Sequence, residues 1–109
     1  MVIYEVNLFI NKSIFDDYKK WLEEHITEML MFQGFSEAKI LSESDFGVAN
    51  DNNVESKLTV QYVIQSRADL NDYFEKKASI MRKKGTDLFG DRFRAERRIL
   101  NIESSVLRS

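Results

Sequence analysis

The sequence contains no cysteine and no proline, and it has only four glycines, one histidine and one tryptophan in 109 residues. Without cysteine the chain cannot form disulfides, iron–sulfur clusters or Cys-based zinc sites, and thiolate catalysis is excluded. Charge of one sign is also missing, because 16 Lys and Arg stand against 18 Asp and Glu for a net charge of −2. We therefore expect no nucleic-acid partner and no anionic-membrane partner.

Signals for cofactors, membrane insertion and export are absent as well. There is no glycine-rich phosphate loop, and a single histidine cannot supply a paired-histidine metal motif, so we expect neither a metal nor another cofactor. No apolar run approaches the roughly 20 residues of a membrane span. The N-terminus lacks the basic region and cleavage site of a signal peptide. A cytoplasmic protein with one domain, residues 1–109, is the expectation.

Hydrophobic periodicity predicts four strands and two helices in the order βαββαβ. Strands are indicated where apolar and polar residues alternate, at Val2 to Ile10, Phe35 to Glu43, Lys57 to Gln65 and Asp91 to Ile102. Amphipathic helices are indicated from Ser13 to about Phe32 and from Ser66 to Gly85. Each helix begins with a Ser-x-x-Asp sequence that is typical of a capping box, Ser13 with Asp16 and Ser66 with Asp69. The polar stretch from Ser44 to Ser56 is predicted to be a mobile loop.

This element order predicts an α+β, ferredoxin-like fold, with an antiparallel sheet of strand order 4-1-3-2 and both helices on one face. The opposite sheet face is then uncovered. It mixes apolar Phe9 and Val63 with polar residues, namely Glu5, Asn7, Thr59, Gln61 and Arg98. Such a face suits a second copy of the chain, with ion pairs across the interface, so we expect a homodimer that forms a dimeric α/β barrel.

Several segments together resemble the DUF4286 family of small bacterial proteins, whose function is undefined. They cover most of the chain and are Ile3-Tyr4-Glu5-Val6-Asn7, Trp21-Leu22-Glu23-Glu24-His25 with Met29-Leu30, Gly34-Phe35, Thr59-Val60-Gln61-Tyr62 and Phe93-Arg94-Ala95-Glu96-Arg97-Arg98-Ile99-Leu100. The resemblance implies a dimeric α/β-barrel architecture, related to that of small monooxygenases and isomerases. It implies no particular reaction.

His25 lies at the edge of the apolar face of the first predicted helix, one turn after Trp21. One interpretation makes it a general base or a haem ligand at the mouth of a pocket between helices and sheet. The other makes it a boundary histidine that packs on Trp21 while one ring nitrogen meets water, and we favour this second interpretation.

Tyrosines and arginines supply the remaining candidates. Tyr4, Tyr18, Tyr62 and Tyr73 are predicted to project between sheet and helices, either as core rings or as the lining of an aromatic pocket. On the last strand, Arg94, Arg97 and Arg98 could hold a carboxylate or phosphate, but we favour ion pairs at the dimer interface; Arg97 falls on the helix side. The run from Arg82 to Lys84 is assigned to stabilisation of the helix end.

The sequence therefore favours a non-catalytic module that binds a small apolar or aromatic ligand or another protein. The alternative is a cofactor-independent oxygenase or isomerase that uses His25 as a base. In both cases the candidate site residues are Trp21, His25, Tyr62 and Arg97.

Overall fold

The computed structural model describes residues 1–43 and 55–109, which form a four-stranded antiparallel sheet and three α-helices. Along the chain the elements are β1 (Val2–Asn11), α1 (Phe15–Met29), β2 (Phe35–Ser42), β3 (Glu55–Ile64), α2 (Arg67–Lys76), α3 (Ala78–Phe89) and β4 (Phe93–Asn101). The strand order is β2-β3-β1-β4, which reads 4-1-3-2 from the β4 edge. The fold is α+β and ferredoxin-like, with β1 and β3 in the centre of the sheet.

Alternation along β1 and β3 divides the sheet into an apolar face and a polar face. Tyr4 pairs with Tyr62 and Leu8 with Leu58 across the two central strands. These side chains are buried under the helices, together with other core residues of the same strands: Val2, Ile10, Val60 and Ile64. The predicted arrangement of helices on one sheet face is thus consistent with the observed burial.

The start of α1 differs from the predicted capping box. A 3₁₀ turn, Lys12–Ile14, precedes α1, which begins at Phe15. The Asn11 side chain accepts hydrogen bonds from the backbone N–H of Ser13 at 2.9 Å and from its hydroxyl at 2.8 Å. The N-cap residue of α1 is Ile14, and no side chain accepts a hydrogen bond there, so the Ser13 hydroxyl does not cap the helix. Prediction of the helix start at Ser13 was wrong for this reason.

The second predicted helix is two helices, with a break at Lys77. Backbone angles at Lys77 are φ −126° and ψ −27°, outside the helical region. Tyr73 and Ala78 are successive buried residues, and they are five positions apart in the sequence. In one continuous helix, buried residues on the same face are three or four positions apart. The break turns the chain so that α2 and α3 both bury their apolar residues. Gly85 lies inside α3, and Gly90, at φ +60°, ends that helix.

The end of α1 and the start of α2 meet at Gly34. Helix α1 ends at Met29, three residues before the predicted end, and Gly34 has φ +85°. The Gly34 carbonyl accepts a hydrogen bond from Gln65 N–H at 2.9 Å. A side chain at Gly34 would collide with Asp69, whose own N–H is bonded to Ser66 Oγ at 3.1 Å. The predicted cap at Ser66 is therefore present, and glycine is needed beside it.

Part of the predicted loop lies outside the described residues. Glu55 and Ser56, which were assigned to that loop, belong to β3, while residues 44–54 are not described. The prediction of a mobile segment there stays a prediction. Within the described residues, no helix has both the length and the apolar character needed to cross a membrane.

On the polar face of the sheet, Glu5 is the centre of a hydrogen-bond network. It is 4% exposed although it carries a charge. Its carboxylate accepts hydrogen bonds from Gln61 Nε2 at 3.0 Å and Asn7 Nδ2 at 3.1 Å, and it forms an ion pair with Arg98. Asn7 Oδ1 in turn accepts a hydrogen bond from the Thr59 hydroxyl at 2.8 Å. Three strands, β4, β1 and β3, are thus connected through one carboxylate.

The apolar residues of the polar face are only half-buried within one chain. The Arg94 guanidinium lies 3.8 Å from the centroid of the Phe9 ring, and it also forms an ion pair with Glu96 at 3.0 Å. The ion pairs that were predicted to cross a dimer interface are therefore formed inside a single chain. Val63 and part of Phe9 still reach the surface of this face.

The Glu5 network predicts a pH-dependent contribution to stability. The Arg98 guanidinium, followed by the Gln61 amide, holds the pKa of Glu5 at about 2 against an ordinary value of 4.5. The contribution is therefore complete above pH 4.5 and is lost as the pH falls from 4.5 towards 2. We expect Glu5→Gln to lower the free energy of unfolding at pH 7 by about 1–2 kcal/mol.

Urea denaturation of both proteins between pH 7 and pH 2 measures this effect. The difference between wild type and Glu5→Gln should shrink as the pH falls through that window. Glu96→Gln, which removes an exposed partner of Arg94, is the matched control, with an expected loss below about 0.5 kcal/mol. Equal effects of the two substitutions would contradict the assignment.

Candidate functional site

A cavity lies between the helix-covered face of the sheet and two of the helices. Its floor is formed by side chains of β1, β3 and β4, and its walls by α1 and α3, with Tyr73 added from α2. About 100 Å³ of the cavity is open to the centres of water molecules. A single water needs roughly 10–15 Å³ of such space, so there is room for several waters or one small organic group.

Trp21 and His25, one helical turn apart on α1, stack on each other at the cavity. Their ring centroids are 4.6 Å apart with an angle of 21° between the planes. Both side chains are half-buried and both line the cavity. The interpretation of His25 as a boundary histidine packed on Trp21 is consistent with this stack. The interpretation that places it at a pocket is equally consistent, because the same ring forms part of the wall.

Burial lowers the pKa of His25 below its ordinary value of 6.5. The charges of Glu28 and Lys84 act on it in opposite directions, since Glu28 raises the pKa and Lys84 lowers it. These two residues form an ion pair with each other at 2.6 Å. The imidazole is therefore neutral at pH 7, and one of its nitrogens is free of a proton and able to accept one.

Four tyrosines line the cavity, from β1, β3, α1 and α2. Tyr4 and Tyr62 stack with centroids 5.9 Å apart, and Tyr4 also contacts Tyr73 at 6.1 Å. Tyr18 packs against Phe93 of β4 at 4.9 Å. The two interpretations of these tyrosines are thus compatible: their rings belong to the core, and part of their surface is the lining of the cavity.

Each of these tyrosines carries a hydroxyl group that can donate one hydrogen bond. Tyr4 Oη accepts a hydrogen bond from Arg82 Nη2 at 3.3 Å, which leaves its own proton free to be donated. In the described part of the chain, no fully enclosed side-chain polar atom lacks a hydrogen-bond partner. Burial raises the pKa of Tyr18 and Tyr62 far above the ordinary value and that of Tyr73 to about 12. These three phenols are therefore neutral hydrogen-bond donors at pH 7.

Arg97 and Arg82 are exposed residues that also line the cavity, so they lie at its mouth. Arg97 comes from β4, and its charge opposes the rise in pKa of Tyr18, Tyr62 and Tyr73. Arg82 comes from the middle of α3, because that helix continues to Phe89. The assignment of Arg82 to a helix end was wrong, and its hydrogen bond to Tyr4 shows that it belongs to the cavity.

Gly85 allows α3 to lie close to Trp21. A Cβ atom at this position would be 3.1 Å from Trp21 Cη2 and 3.3 Å from Phe93 Cζ, closer than ordinary contact. The prediction that Gly85 ends the helix was wrong. Because Gly85 has no side chain, α3 packs closely against α1 and β4 at the cavity wall.

All four candidates from the sequence, Trp21, His25, Tyr62 and Arg97, line this one cavity. Three lining residues of α3 are not among the candidates predicted from the sequence, namely Arg82, Gly85 and Thr86. The spacing of Arg82 and Thr86 by four residues would place them on one helix face, but only once α3 is known to extend past Gly85. Among residues 1–43 and 55–109, no three His, Asp or Glu side chains are grouped as metal ligands.

A family model described as a domain of unknown function, DUF4286, matches residues 1–103. The chain belongs to this family. The resemblance noted in the sequence is thereby confirmed for DUF4286, and the family description assigns no activity. No curated protein matches the sequence of this DUF4286 member.

Solved structures with low sequence identity share the fold of this DUF4286 member. One is a mutant form of SnoaB, a cofactor-independent oxygenase from Streptomyces nogalater, with TM-score 0.69, 10% identity and 96% of each chain covered. A conserved protein from Methanosarcina mazei Go1 has TM-score 0.63 and 16% identity, with 91% of this chain and 90% of that chain covered. A "putative monooxygenase" from Shewanella loihica PV-4 has TM-score 0.56 and 16% identity, with 99% of this chain and 96% of that chain covered. At these identities the similarity establishes the fold.

The buried stack of His25 on Trp21 predicts the titration of the imidazole. We expect its pKa, measured by NMR of the ring protons, to lie below 6.5 in the folded protein. The unfolded chain then takes up the proton first, so His25 lowers stability as the pH drops below 6.5. Glu28→Gln should lower the pKa further, because it removes the charge that favours the imidazolium. A pKa at or above 6.5 in the wild type would contradict the burial of the ring.

Proposed function

We propose that this protein is a non-catalytic module that binds a small aromatic molecule in the cavity between α1, α3 and the sheet. The observation that carries the proposal is the lining of the cavity, in which aromatic rings surround a few hydrogen-bond donors. Small-molecule sites have this composition, with an apolar wall for affinity and a few polar groups for orientation. The tyrosine rings supply the wall, and the hydroxyls of Tyr4, Tyr18 and Tyr62 supply the donors.

The volume of the cavity restricts the ligand. Sites for drug-sized molecules enclose about 300–1,000 Å³, whereas this cavity offers about 100 Å³. One aromatic ring fills such a space, and any larger part of the ligand must extend through the mouth. The proposal is therefore for a one-ring compound or for a larger molecule that inserts one ring.

Titration with p-cresol tests the proposal. Trp21 is the only tryptophan, so its indole N–H signal in an NMR spectrum reports directly on the cavity. We expect saturable shifts of this signal with a Kd of about 0.1–1 mM, as ligand-efficiency limits suggest for eight heavy atoms. Thr86 is an exposed residue at the mouth of the cavity, and Thr86→Phe should weaken p-cresol binding at least tenfold.

The matched control is Leu88→Phe, which adds the same ring to α3 at a position that is 58% exposed and does not line the cavity. It should leave binding unchanged. Equal weakening by the two substitutions, or no saturable shift in the wild type, would remove the proposal.

A second candidate function is a cofactor-independent oxygenase. One observation favours it, namely that the neutral imidazole of His25 lines the cavity and can act as a base. The name of SnoaB describes such an oxygenase, although the similarity to it is one of fold. Oxygenation without a cofactor requires a substrate that reacts with dioxygen after it loses a proton, which is the step that His25 would serve.

Oxygen uptake in a titration with hydroquinone, a one-ring phenol of the same size whose anion reacts with dioxygen, separates the two candidates. Uptake that depends on the aromatic compound and disappears in His25→Ala, while binding persists, would favour the oxygenase. Binding without uptake would favour the module.

We also propose that two copies associate through the polar sheet face, in the cytoplasm, to form a dimeric α/β barrel. Support comes from Phe9 and Val63, which are half-buried on this face and lie between charged residues of both signs. Burial of such mixed surfaces against a symmetric copy is a common route to dimers.

Light scattering at micromolar concentration should give twice the 12.8 kDa mass of the chain. Val63→Lys places a charge without a partner in the interface and should give a monomer. Leu88→Lys, on the helix side, is the matched control and should remain dimeric. A wild-type mass of 12.8 kDa would rule the dimer out.

A further inference from the structure

We infer that the ligand of this cavity is an aromatic carboxylate, with its ring among the tyrosines and its carboxylate at the mouth beside Arg97 and Arg82. This inference rests on the proposed binding function and names the chemical class of the ligand. It follows from the charged groups around the cavity and from the elements that carry them.

The charge at the cavity is of one sign. Arg82 and Arg97 both contribute to its lining, and none of the described lining residues is an Asp or a Glu. The protein as a whole has a net charge of −2, so the excess of positive charge is local to this site. An anionic group is therefore attracted to the mouth of the cavity.

Among residues 1–43 and 55–109, Arg97 differs from its neighbours on β4 in having no anionic partner. Arg94 forms ion pairs with Glu96 and Glu55, and Arg98 forms one with Glu5. These two arginines lie on the polar sheet face. In the described part of the chain, no carboxylate oxygen lies within 4.0 Å of the Arg97 side-chain nitrogens. Its guanidinium group thus keeps its donors for another molecule.

Arg82 and Arg97 act on the same part of the cavity. The charges of both oppose the effect of burial on the pKa of Tyr73, an α2 residue that lines the cavity. Arg82 also donates to Tyr4 Oη, so the phenol proton of Tyr4 points away from that bond. One carboxylate at this place can accept hydrogen bonds from guanidinium groups and from phenols together.

The secondary structure around the mouth favours a carboxylate over a phosphate. Phosphate sites commonly use free backbone N–H groups at a helix N-terminus or in a glycine-rich loop. Here the lining residues of α1 and α3 lie inside the helices, where the backbone N–H groups are already bonded. Guanidinium groups bind both anions, but without backbone donors this site has little to offer the additional oxygen and charge of a phosphate.

A matched pair of probes, benzoate and benzamide, tests the inference at pH 7, with the Trp21 indole signal as the readout. The two compounds have the same shape and differ in charge. We expect benzoate to bind at least tenfold more tightly than benzamide, and its affinity to fall with added salt. Arg97→Gln should weaken benzoate binding about tenfold and change benzamide binding by less than about twofold.

Three variants complete the design. Arg82→Gln should act in the same direction as Arg97→Gln, and Arg97→Lys should retain part of the benzoate affinity, because the charge remains and the planar fork is lost. Arg94→Gln is the matched control on the same strand, since it faces the other side of the sheet. It should change neither affinity.

The outcomes distinguish this inference from the proposed function. Equal binding of benzoate and benzamide, or tighter binding of phenyl phosphate than of benzoate, would overturn the inference and leave the aromatic-binding function in place. Failure of every aromatic probe, p-cresol included, would overturn both. A benzoate preference that survives in the double variant Arg82→Gln with Arg97→Gln would also overturn it.

Discussion

Side-chain alternation along β1 is the constraint on which the fold and the cavity depend. This strand pairs with β3 on one side and with β4 on the other along nearly its whole length. Tyr4 and Leu8 point towards the helices, and Glu5 and Asn7 point to the opposite face. A register slip of one residue would place Glu5 among the aromatic rings and Tyr4 in solvent. Gln61 and Arg98 lie directly across from Glu5 on the neighbouring strands. Their bonds to the Glu5 carboxylate therefore stabilise the correct register.

The cavity lies where α1, α3 and β4 meet, and several packing features leave it open. Aromatic rings from the sheet and the helices line it, with centroid distances of about 5–6 Å between neighbouring rings. The break at Lys77 gives α3 an orientation independent of α2. Gly85 then brings α3 against Trp21 on one side, while Arg97 at the sheet edge leaves the other side accessible. Local backbone geometry and edge position together produce a pocket with a polar mouth.

Much of the fold follows from the sequence because alternation and helical periodicity are strong signals here. The four strands lie within one or two residues of the predicted limits, and β4 is recognisable despite its many charges. The helix break at Lys77 was not predictable, since neither proline nor glycine marks it and the apolar stripe continues past it. Asn11 was overlooked as a cap because Ser13 and Asp16 present a better-known pattern. At the site, Trp21, His25, Tyr62 and Arg97 come together as their strand and helix faces suggest. Arg82 was missed because its role depends on where α3 ends, which is a tertiary property.

The composition of β4 has a consequence for how this protein avoids aggregation. As an edge strand, β4 presents unpaired backbone groups along its outer side, and such an edge is a template for strand addition by another chain. Four of its nine residues are charged, namely Arg94, Glu96, Arg97 and Arg98. An incoming strand would have to bring its own side chains against these solvated groups on both faces. The charged edge strand therefore prevents further strands from pairing with the sheet. The protein can retain a partly apolar sheet face without aggregating through its β-strands.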